Sequence, residues 1–353
     1  MFKYNYHEDL IKKLIIANSA PIQVELQTGI GCGGYKCKFC YGQNQELTGG
    51  EELTLQDYYK LLDDLKGKTK FITMAGINTD PLVHKNIYDI IKKIKENGFK
   101  LGVHTKGLLL NSHIADLLCT DTDYGDFITF SIDSSDGDVY TKLHVLPEKG
   151  NFFETIKKNI TYLHNRKKLT KSNLHVNVSY LVFKENSSEE QMEKFIQIFD
   201  EISDRIRFTL PQIPNKDEKK PEYYLSPSEE EEVRKIIKEL KEKYSNKNGK
   251  IIFLDFEDHE HKTDFKYCYA QRFQAVIDNY GYVFPCPQVT TKKYQHITYG
   301  NIKNNGFWEV WNSDNKKRIF DMEVEKMACR ICDRKDEALN IEFSKMFNNG
   351  KVG

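Results

Sequence analysis

Apolar and polar residues alternate through IQVELQT (22–28) and give way to glycines, the period of a half-buried strand that ends in a turn. LTLQDYYKLLDDLKG (53–67) changes to helical spacing, with Thr54 placed to cap it. KFITMAG (70–76) reads as a short apolar strand, and LVHKNIYDIIKKIKENG (82–98) as a second amphipathic helix stopped by Gly98. The same alternation then repeats. FKLGVHT (99–105), DFITFSID (126–133), LHVNVSYLVF (174–183) and RIRFTLPQ (205–212) have strand patterns, with helices near 111–119, 152–166 and 188–201 between them. Six strands joined by crossover helices predict a parallel β/α architecture, either a partial barrel or a doubly wound sheet. Both gather ligands at the carboxyl ends of the strands.

Beyond residue 212 the pattern changes. IPNKDEKKPEYYLSPSEEEE is polar and proline-bearing, and EEVRKIIKELKEKY (231–244) reads as a helix capped by Ser228. A division is expected there: 1–214 as the main unit, 215–250 as linker and helix, 251–353 as a smaller unit. In the latter, FQAVIDNYGYVFPC predicts a hairpin turning at Asn279, Tyr280 and Gly281. There is no internal repeat.

With 353 residues, 39% of them apolar, the chain can bury one large core or a core plus a satellite. Lys+Arg and Asp+Glu are both 52, so no basic field for nucleic acid is implied; the basic stretch 157–172 reads as a solvated helix face. The first residues lack a signal-peptide apolar segment and no run is long enough to span a membrane, so a cytoplasmic protein with reduced thiols is expected. Its eight cysteines then read as metal ligands before disulfides.

GIGCGGYKCKFCYG (29–42) places Cys32, Cys37 and Cys40 within nine positions, directly after the first strand, with no fourth cysteine nearby. Three thiolates on a four-iron cluster leave one iron open to a reacting ligand, and Gly31, Gly33 and Gly34 let the backbone wrap around such a group. Closure as a zinc site instead requires a fourth ligand such as His7 or a distant cysteine. GIGCGG does not meet the dinucleotide-binding pattern. Cys268, Cys286, Cys329 and Cys332 form a second set, whose four thiolates suit either a closed iron-sulfur cluster or zinc. Cys119, in an apolar helical stretch, reads as a packing thiol.

The three-cysteine loop resembles that of the radical S-adenosylmethionine (radical SAM) superfamily, although CGGYKC has four residues between its cysteines where three are usual. The resemblance implies that the open iron takes the amino and carboxylate groups of the methionine moiety and that Phe39 packs by the adenine. TMAGINTDPLVH (73–84) is similar to the family's glycine-rich segment, which makes Gly76 and Asp80 candidates for the methionine contact; Asn78 and Thr79 stand where paired glycines are usual. HTKG (104–107) resembles a segment that usually reads Thr-Asn-Gly, with Lys106 as the departure. SIDSS (131–135) offers Ser131 and Asp133 to the ribose. Residues 267–286, 299–312 and 328–333 resemble the twitch subdomain, the short form of the SPASM domain, with one auxiliary cluster on the second cysteine set.

The implied fold is α/β: a partial (β/α)6 TIM-like barrel with a small C-terminal α+β iron-sulfur subdomain. The implied cofactors are two 4Fe-4S clusters and S-adenosyl-L-methionine, whose reductive cleavage to a 5'-deoxyadenosyl radical permits hydrogen abstraction from an unreactive C–H bond. A closed auxiliary cluster suits electron transfer, which points to dehydrogenation or another oxidative step; with Cys119 on an outer helix, epimerisation lacks an evident thiol donor. About twenty residues precede the first strand, so a small polar metabolite is expected over a leader-bearing peptide, which is the second reading. A non-catalytic iron-sulfur or zinc protein is the third. Arg207, on the sixth strand, is a candidate to anchor or deprotonate substrate, or else an ion-paired surface arginine. A one-electron donor such as flavodoxin or ferredoxin is implied, because no flavin or nicotinamide fingerprint is present.

Overall fold

The computed structural model describes residues 20–40, 42, 45–77, 79–212, 220–247, 249–254, 265–327, 332–348 and 350. Seven parallel strands follow one another in chain order: β1 (Gln23–Leu26), β2 (Phe71–Met74), β3 (Lys100–Thr105), β4 (Phe127–Ser131), β5 (His175–Leu181), β6 (Arg205–Thr209) and β7 (Ile251–Leu254). This order never reverses, which excludes the doubly wound alternative and leaves the partial-barrel one, since a doubly wound sheet reverses direction at its switch point. The seventh strand, beside β6, goes beyond the six expected. It is only four residues long and is preceded by a turn, too short for a periodic pattern to stand out.

Each crossover helix forms for a visible reason. α1 (Leu55–Leu65) begins with a capping box between Thr54 and Asp57, and α2 (Ile87–Glu96) buries Ile87, Ile90, Ile91 and Ile94 along one stripe. Burial of each such side chain stabilises by about 1.5–3 kcal/mol. α3 (Ser112–Cys119) ends in Cys119, whose buried thiol lies 3.9 Å from the Leu163 carbonyl on α5 (Phe152–Thr170), a packing role as expected. A short helix absent from the expected pattern, α4 (Gly137–His144), starts at Asp136, whose carboxylate accepts from the Asp138 and Val139 amides. α6 (Glu189–Phe199) precedes β6, and α7 (Pro227–Lys243) is capped by Ser226, not Ser228. Pro227 takes the first helical position, so the helix starts four residues earlier than the expected Glu231.

The register divides the sheet into two unlike faces. Val24, Ile72, Leu101, Ile128, Val176 and Ile206 lie on one face, all buried against the helices. The opposite, inner face carries Glu25, Thr73, His104, Thr129, Ser131, Asn177, Ser179, Arg207 and Thr209. An apolar interior is what a filled barrel requires; this one is polar.

The C-terminal hairpin, β8 (Gln274–Ile277) and β9 (Tyr282–Phe284), turns as expected, but its placement was not legible. β8 pairs in parallel with β1, so the sheet continues past its first strand into β8, β9 and β10 (Gly300–Asn301). The helix α12 (Arg334–Met346), last of a set that includes α8 (Ile302–Asn305), α9 (Phe307–Trp311), α10 (Asp314–Phe320) and α11 (Val324–Met327), packs Phe343 on Tyr269 and Phe273. Among the described residues no helix is long and apolar enough to cross a membrane.

Candidate functional site

The loop after β1 carries the first cysteine set at the carboxyl end of the sheet. Gly31 and Gly34 adopt φ of 85° and 98° with nothing near a would-be Cβ, so backbone conformation and not crowding demands glycine there. The loop is fastened on both sides. The Lys36 and Lys38 amides donate to the carbonyls of His144 and Leu143 at the end of α4. The Thr79 hydroxyl donates to Thr28 and Gly29 carbonyls, and the Asn279 side-chain amide, from the C-terminal hairpin, donates to Gly29 at 3.1 Å.

Burial pushes the Cys32 thiol up to about 12, with Cys40, Asp80 and Cys37 as added negative neighbours; burial likewise raises Cys37. Thiols that oppose one another's ionisation form a donor set that only a cationic group can hold fully deprotonated. Cys37 also meets His144, a residue that sequence reading missed. The Nε2 of His144 donates to the Ile132 carbonyl at 3.1 Å, which leaves Nδ1 facing Cys37 Sγ at 3.1 Å as acceptor. Burial holds this imidazole neutral, well below its ordinary pKa. Its only sequence signal was the cap at Asp136, which marks α4.

The other candidates surround this loop. Phe39 stacks on Phe183 at 4.8 Å, with the Lys106 ammonium over its ring. Gly76 admits no side chain, since a Cβ would meet Thr79 Cγ2 at 2.2 Å. Asp80 is buried and accepts from Thr105 Oγ1, the Lys106 amide and the Leu82 amide, capping its own turn and bracing the end of β3. Burial raises its pKa against those donors. Ser131 ends β4. Asp133, fully buried at φ of 61°, accepts from the Leu181 amide at 2.9 Å and pairs with Lys106 Nζ at 3.2 Å. Lys106 thus sits between the cysteine loop, Phe39 and Asp133. Burial works against its charge, but Cys37 and Asp133 outweigh it and hold its pKa above the lysine value. Arg207 lies in the same row of the inner face as Ser179 and Ser131.

The second set lies beyond β8. A cavity is lined by Cys268, Cys286 and Cys332, with Val289, Val324 and Met327 as apolar wall and Asp333, Asp336 and Asn340 at the α12 side. Cys329 lies outside the described residues. Burial pushes the Cys268 thiol up to about 11, opposed by the Gln271 amide and by Asn340, whose Nδ2 donates to Sγ at 3.9 Å. Asn340 Oδ1 accepts from the Tyr269 and Ala270 amides, which fixes which end of its side chain faces the sulfur. Gln212, just past β6, donates to the Cys332 carbonyl and ties this region to the barrel.

Residues 26–196 match the profile of the radical SAM superfamily, and residues 268–333 match that of an iron-sulfur cluster-binding domain, SPASM. The chain carries a radical SAM domain followed by a SPASM domain. Radical SAM proteins of known structure share its fold: Streptococcus suis SuiB bound to S-adenosylmethionine superposes with a TM-score of 0.61 at 15% identity, covering 84% of this chain and 66% of that one. anSMEcpe with bound AdoMet superposes with a TM-score of 0.59 at 15% identity, over 85% of this chain and 83% of that one. A curated Pyrococcus furiosus protein, described as a tungsten-containing aldehyde ferredoxin oxidoreductase cofactor-modifying protein, is 26% identical over 328 residues, 85% of this chain and 84% of that protein. The radical SAM domain makes the chain an enzyme that takes a 4Fe-4S cluster and S-adenosylmethionine, with auxiliary iron-sulfur binding in the SPASM region.

Proposed function

We propose that this radical SAM enzyme carries out an oxidative modification of a small polar molecule bound inside the partial barrel. The observation that carries the reading is the convergence, at one end of the sheet, of a three-thiol loop with a polar inner face, and of a second thiol-lined cavity tied to the same end. Cys32, Cys37 and Cys40 would hold the first cluster. Their thiols, whose burial opposes ionisation, suit a cationic group that holds them deprotonated. When bound, the cluster and its sulfonium supply hydrogen-atom abstraction from an unactivated C–H bond.

The chain's own residues do the positioning. Phe39, stacked on Phe183, would offer an aromatic face for the adenine, while Ser131, ending β4, and Asp133, just past it, would serve the ribose. Gly76 leaves the β2 loop bare for the methionine moiety, with Asp80 bracing it from below through Thr105. Cys268, Cys286, Cys329 and Cys332 would hold the second group with no position left for substrate, which suits acceptance of an electron and hence an oxidative outcome. Flavodoxin or ferredoxin is the proposed source of the reducing electron.

The relative whose described object is a cofactor favours a small molecule. Peptide maturation is the second reading, favoured by SuiB and anSMEcpe having been solved with the precursor peptide SuiA and the peptide Cp18Cys. The test is anaerobic reconstitution with iron and sulfide, reduction by dithionite and addition of S-adenosylmethionine. Formation of 5'-deoxyadenosine above a Cys37→Ala control is expected; formation equal to that control overturns the reading.

A further inference from the structure

The inner face of β5 and β6 holds polar atoms that the described residues leave unmet. Asn177 Oδ1, Arg207 Nε and Thr209 Oγ1 are each buried without a hydrogen-bond partner among the described residues. Register places them together: Ser179 pairs with Arg207, Leu181 with Thr209, and Asn177 precedes Ser179 by two positions, so all three project from the same face. Buried polar groups are nearly always satisfied, and three orphans on adjoining strands mark a place built for a ligand that is not protein.

The charges around Arg207 sharpen its chemistry. The acids that face it are Asp133 and Asp333. Asp133 is taken by Lys106 and the Leu181 amide, and Asp333 caps α12 by accepting from the Lys335 amide. Among the described residues Arg207 forms an ion pair with neither. A guanidinium fork presented without a carboxylate matches a planar or tetrahedral oxyanion. The Thr209 hydroxyl lies one step nearer the carboxyl end and can donate to the same group, whereas Asn177 Oδ1 needs a donor. Across two inter-strand spacings, about 10 Å, lies Ser131 in the row shared with Arg207.

We propose that Arg207, Thr209 and Asn177 form the substrate subsite of the barrel, and that the substrate is a small molecule with an anionic oxygen group, carboxylate or phosphate, beside a hydroxyl or amine. This rests on the reading of the chain as a radical enzyme acting on a small polar molecule. The anion lies on Arg207 and Thr209, the neighbouring O–H or N–H donates to Asn177, and the molecule's remaining carbons extend along the row toward Ser131.

The test titrates glycolate, inorganic phosphate and neutral glycerol into the reconstituted holoprotein with S-adenosylmethionine. Saturation-transfer NMR follows the organic probes and 31P line broadening the phosphate. Saturable binding of glycolate or phosphate is expected, weakened about tenfold or more in Arg207→Gln and by a smaller factor in the near-isosteric Thr209→Val, with glycerol unbound. A response to glycolate alone assigns a carboxylate and to phosphate alone a phosphate ester. Equal anion binding in wild type and both variants, equal binding of glycerol, or no saturable binding by either anion overturns the proposal. Circular dichroism and iron content establish that the variants fold, and Thr209→Val carries the test where Arg207→Gln does not. Formation of 5'-deoxyadenosine by the wild-type preparation separates the two readings: its absence sinks the radical reading, its presence with unselective binding sinks only the subsite.

Discussion

The two cysteine regions contain the same ligand type in opposite surroundings. Around Cys32, Cys37 and Cys40 the neighbours are charged or titratable: Lys106, Asp80, Asp133 and His144, each held by its own buried hydrogen bonds. Around Cys268, Cys286 and Cys332 most of the wall is apolar, with Asp333 and Asp336 at the α12 side, and the hydrogen bonds to the Cys268 sulfur come from neutral amides, those of Asn340 and of the 3-10 turn that follows Cys268. A charged, open-sided setting suits a site that must take a zwitterionic sulfonium and change its ligands. A more apolar one with amide donors to sulfur suits a group that changes only its electron count, because its potential is set by those donors and by burial. The same element can therefore serve binding in one place and electron transfer in the other.

The largest test of this contrast is to remove one thiol from each region. Cys37→Ala is expected to abolish 5'-deoxyadenosine formation, and Cys268→Ala to retain it while iron and sulfide content fall by half. Loss of deoxyadenosine in both would make the two regions one unit.

Next in size is the charge network of the first region. Lys106→Met leaves Asp133 buried and unpaired, with an expected loss of about 3–5 kcal/mol in denaturant unfolding of the apoprotein. Lys106→Arg should restore part of it. A loss under about 1 kcal/mol would mean that the pair is an exposed one in effect.

A third prediction concerns the junction between the regions. Asp278, at the hairpin turn, accepts from the Thr48 hydroxyl and the Tyr280 and Tyr282 amides, and burial pushes its pKa up to about 6. A carboxyl whose native pKa lies above its unfolded value binds its proton more tightly when folded. Its contribution is thus complete below about pH 4 and is lost as pH rises through about 6, on the order of 3 kcal/mol in all. Asp278→Asn should flatten stability against pH between 4 and 6; an unchanged slope assigns it to other groups.

The smallest effect is expected at Asn340. Asn340→Asp keeps an acceptor for the Tyr269 and Ala270 amides but removes the donor to Cys268, so the midpoint potential of the second cluster should fall while the first is unmoved. Redox titration followed by electron paramagnetic resonance reads both. A shift in the first cluster instead would place the sensitivity in the other region.

Much of this was legible in the chain. The period-two and period-3.6 patterns placed β1 to β6 and most helices, because each such element buries one face and so must repeat. The glycine and cysteine spacing after β1 marked the first loop, since backbone freedom and ligand type are local properties. His144 was not legible: it reaches Cys37 from 107 positions away, through a short helix with little periodic signal. Ser226 was missed as a cap because two serines flank Pro227 and only the helix start decides between them.

By itself the sequence determined the strand and helix succession, the two thiol sets and the aromatic, acidic and glycine positions around the first, all of which depend on residue type and near neighbours. Only the tertiary structure decided that β8 joins β1 in parallel, that Lys106 answers Asp133, and that Asn177 Oδ1, Arg207 Nε and Thr209 Oγ1 share one face without hydrogen-bond partners among the described residues. The reason is that pairing and satisfaction are settled between segments far apart in the chain, by which backbone edges and side-chain charges are still unmet once each segment has folded on its own pattern.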